Sequence, residues 1–497
     1  MPGIFEPLLN GFATAMTPGN FLAALLGVLI GTVIGILPGL GPTASIALLL
    51  PATIGMSPLS GIIMLAGIYY GAMYGGSTTS ILVNIPGEAA SVVTCIDGYQ
   101  MAKQGRAGPA LGISAFGSFI GGTFGVVAIM LISPLLAETA LKFGPPERFA
   151  LFFFAFTLIG YLAGKSMARG LLMGVLGLFL GAIGTDDIHG VDRFTLGTLY
   201  LRDGIGLVPL AMGLFGLGEI LYNIEQRGKE VSVMATPKDL LPTRKDWRES
   251  IWPIGRGTLL GLGIGILPGG MPAVASLISY AVEKRVAKNP ERFGKGAIEG
   301  VAGPETANNA ATAGGFVPLL TLGIPTNSVL ALLLAALMLH GVTPGPLLLF
   351  KYPDVFWGVI ASMYIGNIIL LILNLPLIGL FVQILKVPYS LLSPLIIMFV
   401  LLGAYALNNS VTDVLVTILF GLLGYIIKRY HFEPAPLVLA FVLGPMMETS
   451  FRQSLIMSPT GSIAIFFSRP ISGTLLVIAI LVLFLPLIRQ RLKTNSP

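Results

Sequence analysis

The residues best placed to do chemistry in this chain stand behind two interruptions. After Gly39 the sequence reads Gly41-Pro42-Thr43-Ala44-Ser45, and after Gly269 it reads Pro272-Ala273-Val274-Ala275-Ser276 beyond Gly270 and Met271. A Pro at the first helical position beside small or hydroxyl residues is a helix start. A helix that begins there presents free N–H groups and the positive end of its dipole, and such an end holds an anion. The chemistry on offer is recognition of a negatively charged group by peptide dipoles. The candidates are Pro38, Gly39, Gly41, Pro42, Thr43 and Ser45 in one copy and Pro268, Gly269, Pro272 and Ser276 in the other.

A polar segment follows each interruption. Ser77-Thr78-Thr79-Ser80 lies in an otherwise apolar run, and the matching region of the second copy carries Glu305, Thr306, Asn308, Asn309 and Thr312. Next come Asn84-Ile85-Pro86-Gly87-Glu88 and Gly323-Ile324-Pro325-Thr326-Asn327-Ser328. Polar groups at membrane depth are costly unless they face a cavity or one another. Ser77, Thr78, Thr79, Asn308, Asn309, Pro325, Thr326 and Asn327 are therefore candidates for the same anion site. Glu88, Glu305, Asn308, Asn309 and Thr312 are candidates for coupling to Na⁺ or H⁺. Two plainer uses stand beside these: a lone Ser or Thr also serves helix–helix hydrogen bonding, and Glu88 could equally stabilise a helix N-terminus. No Lys or Arg occurs before Lys103, between Arg256 and Lys284, or between Lys295 and Lys351. An anion bound in this region is met by helix ends, hydroxyls, amides and a co-bound cation.

Other acids have ordinary readings. Asp97, near Lys103 and Arg106, reads as interfacial. Glu219 and Glu448 read as snorkelling or paired, Glu299 as a partner of Lys295, and Asp413 as a cap after Ser410. The Phe and Tyr residues read mostly as bulk. An intramembrane hydrolase needs two facing acids, a serine with a base, or HExxH-like spacing. Asp186-Asp187 beside His189 lies in a polar loop, so no enzyme is expected. His189, His340 and His431 lack ligand spacing, so no transition-metal site and no cofactor are expected. The lone Cys95 excludes an internal disulfide.

The elements that carry these residues must lie in a bilayer. The chain has 497 residues, 54% hydrophobic and only 10% charged, with a formal charge of +6. That composition belongs to a polytopic membrane protein, and the excess charge fits the positive-inside rule better than a nucleic-acid footprint. No cleavable signal peptide is recognisable at the N-terminus. Apolar segments predict an all-α fold with about 10–14 membrane segments at ~20 residues per full span.

Ile34-Gly35-Ile36-Leu37-Pro38-Gly39 returns unchanged as Ile264-Gly265-Ile266-Leu267-Pro268-Gly269. Pro disfavours helical geometry at the residue before it and removes a backbone donor, so each copy breaks a helix inside the membrane. Gly75-Gly76 with Ile85-Pro86 recurs as Gly314-Gly315 with Ile324-Pro325, and Gly108-Pro109 as Gly345-Pro346. Landmarks in one order mark an internal repeat, and paired broken helices mark a transporter with a midplane site. The chain divides into a first half, 1–222, a basic cytoplasmic connecting loop, 223–256, and a second half, 257–497. The first break has uncharged flanks; the second lies between Arg256 and the Lys284, Arg285, Lys288 group. Re-entrant hairpins entered from opposite sides, hence inverted repeats, account for this. Two ordinary spans with a Pro kink are the alternative.

At these residues the chain resembles the large membrane subunit of the tripartite tricarboxylate transporters, the TctA type. The matching stretches are Gly31 to Pro51, Asn84 to Gly108, Gly300 to Pro346 and Asn408 to Pro470. The resemblance implies a multi-pass permease of the bacterial inner membrane. It would work with a small membrane subunit of the TctB type and a periplasmic solute-binding protein of the TctC type. It would import tri- or dicarboxylates, citrate-like, by cation symport with Na⁺ or H⁺. A channel or exporter of the same fold, independent of a binding protein, is the alternative function.

Overall fold

The computed structural model describes residues 4–37, 40–162, 166–186, 188–225, 240–384 and 389–494. Pro38 and Gly39 of the expected anion site, Asp187, and 226–239 of the connecting stretch lie outside the described residues.

The chain is built of helices. In order they are α1 (Phe5–Ala15), α2 (Pro18–Ile36), α3 (Pro42–Leu49), α4 (Pro58–Val83), α5 (Val92–Lys103), α6 (Ala107–Ala140), α7 (Pro145–Leu162) and α8 (Met167–Gly181). After a two-stranded hairpin, β1 (Gly184–Thr185) with β2 (Asp192–Arg193), come α9 (Leu207–Ala211), a π-helical turn at Met212–Leu217 and α10 (Gly218–Glu225). The rest are α11 (Arg244–Gly265), α12 (Pro272–Val286), α13 (Glu299–Gly314), α14 (Phe316–Leu322), α15 (Ser328–Leu339), α16 (Leu348–Lys351), α17 (Pro353–Asn374), α18 (Ile378–Ile384), α19 (Tyr389–Asn408), α20 (Val411–Arg429), α21 (Ala435–Met457), α22 (Ile465–Ser468) and α23 (Pro470–Thr494). Among the described residues, 7 helices are long and apolar enough to cross a membrane, and the shorter apolar helices include α8 and α15. The expected all-α polytopic architecture is observed.

Both breaks fall where Pro dictates. Helix α2 stops at Ile36, and Leu37 turns to φ −80°, ψ 112°, as a residue before Pro must. Helix α3 then starts with Pro42 at its first position behind an extended Gly41. In the second copy α11 stops at Gly265, Gly269 takes φ +78°, and α12 starts at Pro272 behind an extended Met271. Helix α11 itself begins at Arg244, inside the stretch read as a connecting loop. A reciprocal capping box between Thr243 and Asp246 starts it there.

The chain forms two compact units. One comprises Met1–Ala137 and Val208–Ile426, the other Glu138–Leu207 and Ile427–Pro497. In the first unit glycines at every fourth position set helices backbone to backbone. A Cβ at Gly27, Gly31 or Gly35 of α2 would collide with the carbonyl of Met64, Ile68 or Ala72 on α4. A Cβ at Gly257, Gly261 or Gly265 of α11 would collide with that of Gly303, Ala307 or Ala311 on α13. Both pairs run parallel, and small residues at this spacing permit such approach in lipid.

The duplication persists after α4 and α13. Asn84 and Gly323 both take left-handed backbone, φ 58° and 70°. Four residues later Glu88 (φ −147°, ψ 168°) and Asn327 (φ −150°, ψ 174°) each cap the next helical segment with a side-chain oxygen. The two copies interlock. Helix α3 of the first packs against α15 of the second, and α12 of the second packs against the 3₁₀ turn Ala89–Ser91 of the first. The end of α5 meets the start of α11 through an Arg106–Asp246 ion pair. The end of α15 meets the start of α4, with His340 Nε2 3.3 Å from Thr53 Oγ1 and its ring lying over Gly61.

In the second unit α7, α8, α21 and α23 pack together. Glu147 accepts from Arg469 at 2.9 Å, and Arg452 reaches Asp186 of the hairpin at 2.7 Å. That hydrogen-bonded pair, more than any other cause, holds the Asp186 carboxyl well below the usual aspartate range.

Candidate functional site

The expected polar residues meet in the first unit, on facing sides of α4 and α13 and in the loops that follow them. Glu305 sits on α13, only 1% exposed. Its carboxylate accepts from Ser77 Oγ on α4 at 2.6 Å and from Thr94 Oγ1 on α5, and Ser114 and Ser118 of α6 lie within hydrogen-bonding reach. Four hydroxyls thus surround one acid. Asn309, one turn on, donates to Ser118 Oγ at 2.7 Å and to the Glu305 carbonyl.

A second cluster lies where the two copies cross. Asn327 caps α15 by accepting from Leu330 N at 3.0 Å, and its Nδ2 donates to Tyr69 Oη on α4 at 3.0 Å. Thr312 is also within reach of the Tyr69 hydroxyl and donates to the Asn308 carbonyl. Glu88 accepts from Ala90 N, and its other oxygen lies 3.5 Å from Asn308 Nδ2. Asn308 is fully buried, and its Oδ1 accepts nothing from the described residues; nor does buried Thr326 Oγ1 have a partner there.

The hydroxyls behind the breaks are turned inward on the protein. Ser45 donates to Gly41 O at 2.9 Å, Ser276 to Pro304 O at 3.1 Å, and Thr43 Oγ1 lies 3.1 Å from Ser328 Oγ. Their N–H groups at the starts of α3 and α12 stay free of side-chain caps. Thr79 and Ser80 both return to the Gly76 carbonyl, while Thr78 is simply buried. Pro268, Gly269 and Pro325 are buried at their turns and supply backbone rather than side-chain chemistry.

Several participants were not singled out from sequence. Tyr69 bonds Asn327; Tyr74 donates to Asn367 Oδ1 at 2.7 Å, and Asn367 in turn donates to Phe119 O and Thr123. A cavity of ≈ 20 Å³, enough for one water, is lined by Tyr70, Asn309, Thr312 and Asn367. Reading tyrosines as bulk overlooked Tyr69 and Tyr74; their nearness to Ser77 within one helix was the available signal. Asp97 has closer partners than Lys103 or Arg106. It is fully buried and accepts from the N–H groups of Gly294, Gly296 and Ala297 and from Tyr280 Oη. Positive-φ Gly294 and Gly296 shape that nest. Glu299 pairs with Arg292, Glu448 pairs with Arg193 and Arg452, and Asp413 N takes the Ser410 cap.

A site of broken helices and buried hydroxyls, amides and acids is what a membrane carrier of small ions requires. Residues 21–439 match the family model of the tripartite tricarboxylate transporter TctA family. The chain belongs to the TctA family. Over 495 residues it is 48% identical to an uncharacterised 52.8 kDa protein of Agrobacterium vitis, described as lying in the TAR-I ttuC' 3' region, covering 99% of this chain and 98% of the relative. A shorter A. vitis protein from the TAR-II ttuC' 3' region is 51% identical over 231 residues, 46% of this chain and 95% of that one. As a TctA member the chain is a multi-pass membrane component of a transporter, and its family implies further subunits.

Proposed function

We propose that this chain is the large permease subunit of a binding-protein-dependent secondary transporter. It imports tri- or dicarboxylates of citrate-like kind by symport with Na⁺ or H⁺. Its partners are a small membrane subunit of the TctB type and a periplasmic binding protein of the TctC type, and it resides in a bacterial inner membrane. The observation that carries this reading is the pair of uncapped half-helix starts at Pro42 and Pro272, beside a buried polar cluster. Helix N-termini attract carboxylates, and a cation near Glu88, Glu305, Asn308, Asn309 and Thr312 offsets the acids so that anion and cation each favour the other's binding.

Inverted repeats fit the same reading. The path from α4 to α5 starts beside His340 and ends beside Asp246; the path from α13 to α15 starts near α11 and ends beside Thr53 and Gly61. Equivalent segments run in opposite directions. One end carries Lys103, Arg106, Arg244, Lys245, Lys284 and Arg285, whereas the stretches 1–58 and 339–350, around the starts of α2 and α4 and the end of α15, carry no Lys or Arg. The basic end is the cytoplasmic one.

The test is substrate accumulation in membrane vesicles under an imposed Na⁺ or H⁺ gradient, with candidate binding proteins and carboxylates added. Ser45→Leu and Asn308→Leu are expected to insert normally and lose uptake. Wild-type uptake by both variants refutes the site, and equilibration without accumulation replaces the carrier with a channel.

A further inference from the structure

We propose that Glu88 carries the coupling proton of the transport cycle, with Asn308 as its hydrogen-bond partner in both protonation states; this deepens, and rests on, the symport reading above. Glu88 and Asn327 occupy equivalent places in the two copies, with nearly identical backbone angles and the same capping role. Each reaches across to the other copy at equivalent positions: Glu88 to Asn308 on α13, Asn327 to Tyr69 on α4. The fold has therefore built one cross-link twice. In the Asn327–Tyr69 copy neither member changes charge near neutral pH. In the Glu88–Asn308 copy one member is a carboxyl. A helix cap needs only an oxygen, as Asn327 demonstrates, so the acid at 88 does something capping does not require.

Asn308 is suited to serve both forms. An amide presents a donor and an acceptor arm of nearly the same shape. With Glu88 ionised, Nδ2 donates to its free oxygen, the arrangement observed at 3.5 Å. With Glu88 protonated on that oxygen, a half-turn of the amide brings Oδ1 round to accept the new O–H. Oδ1 is buried and unpartnered among the described residues, so the turn exchanges only the Nδ2–Glu88 bond for the new one.

The alternative acid, Glu305, has both carboxyl oxygens engaged, one by Ser77 and one by Thr94, so an added proton there must turn one of those hydroxyls round. A hard metal ion takes about six or more oxygens. The Glu88–Asn308 pair offers one free carboxyl and one free amide oxygen, which is what a proton needs.

The titratable groups that face Glu88 are Glu305 from α13, Tyr69 from α4, and Cys95 on its own segment. Tyr74 faces Glu305 from α4. On α12, which packs against the turn after Glu88, Tyr280 is bonded to Asp97 and Glu283 to Arg256, and α2 carries no ionisable side chain. With the proton on Glu88 the charge that would repel a carboxylate near the half-helix ends is removed. Its loss to the far side restores the repulsion and expels the substrate.

The experiment is a pH-difference infrared titration of the purified full-length chain in nanodiscs, without Na⁺ and without substrate. It follows the C=O stretch of a protonated carboxylic acid. One such band is expected to disappear as pH rises in the wild type. It should be absent in Glu88→Gln, shifted in Asn308→Ala, retained in Glu88→Asp and in Glu305→Gln, and unchanged in Asn327→Ala. A band that survives Glu88→Gln, is lost only in Glu305→Gln, or is abolished by adding Na⁺ overturns the proposal, as does the absence of any titrating band. Vesicle uptake separates the two readings. Accumulation driven by Na⁺ with no Glu88 band removes the proton assignment alone, whereas a Glu88 band with no accumulation under any gradient removes the transport reading.

Discussion

At the scale of single residues, a side chain's neighbours decide its role more than its type does. Asp97 and Glu305 are both buried acids, yet one is gripped by three backbone N–H groups and a tyrosine while the other is ringed by hydroxyls. Asp97 joins α5 to the loop before α13, so Asp97→Asn, which presents an NH₂ to converging donors, is expected to cost about 1–3 kcal/mol or more. A lower thermal midpoint in detergent checks this, and Tyr280→Phe should cost about 1 kcal/mol. Asp186 answers differently. Its carboxyl is held low by Arg452, so the pair's contribution is complete above the unfolded aspartate value of about 4 and fades as pH falls through the lower folded value. Thermal scans between neutral and strongly acidic pH should show Arg452→Gln losing part of the acid sensitivity of the wild type. Sequence revealed Glu305, Asn308, Asn309 and Asn327 as a polar cluster because polar groups in so apolar a run must face a cavity or one another. It did not reveal that Tyr69 pairs with Asn327 or that Gly294 and Gly296 wrap Asp97, since those contacts join residues far apart in the chain.

At the scale of elements, the breaks were legible because Pro acts locally. Leu37 before Pro38 and the restarts at Pro42 and Pro272 follow from sterics within a few residues. The four-residue glycine spacing is also visible in the sequence, but its partner surface is not; only the folded chain shows those glycines against carbonyls of α4 and α13. Gly31→Val and Gly261→Val should each force the paired helices apart, at a cost of about 1–3 kcal/mol for overpacking, read as lowered thermal midpoints. Gly55→Ala, with open space around it, is the neutral control. At the turn after α14, Gly323→Ala places a Cβ on left-handed backbone and should cost about 1–2 kcal/mol, whereas Gly323→Asn, which copies Asn84, should be milder.

At the scale of the whole molecule, the inverted repeats proposed above predict sidedness. In a chain with Cys95 replaced by Ser, Gly55→Cys is expected to react with a membrane-impermeant thiol reagent from the periplasm. Lys288→Cys is expected to react only after permeabilisation; both positions are exposed. Labelling of both from one side would remove the inverted arrangement. The glycine contacts carry a further mechanical consequence. Two helices whose backbones touch at every fourth residue cannot slide by small amounts, because each intermediate register would drive a side chain into a carbonyl. The smallest clean step is about 6 Å, four residues of rise. Helices α2 and α4 must then travel as one rod, as must α11 and α13, and bending is left to the joints around Leu37 and Leu267.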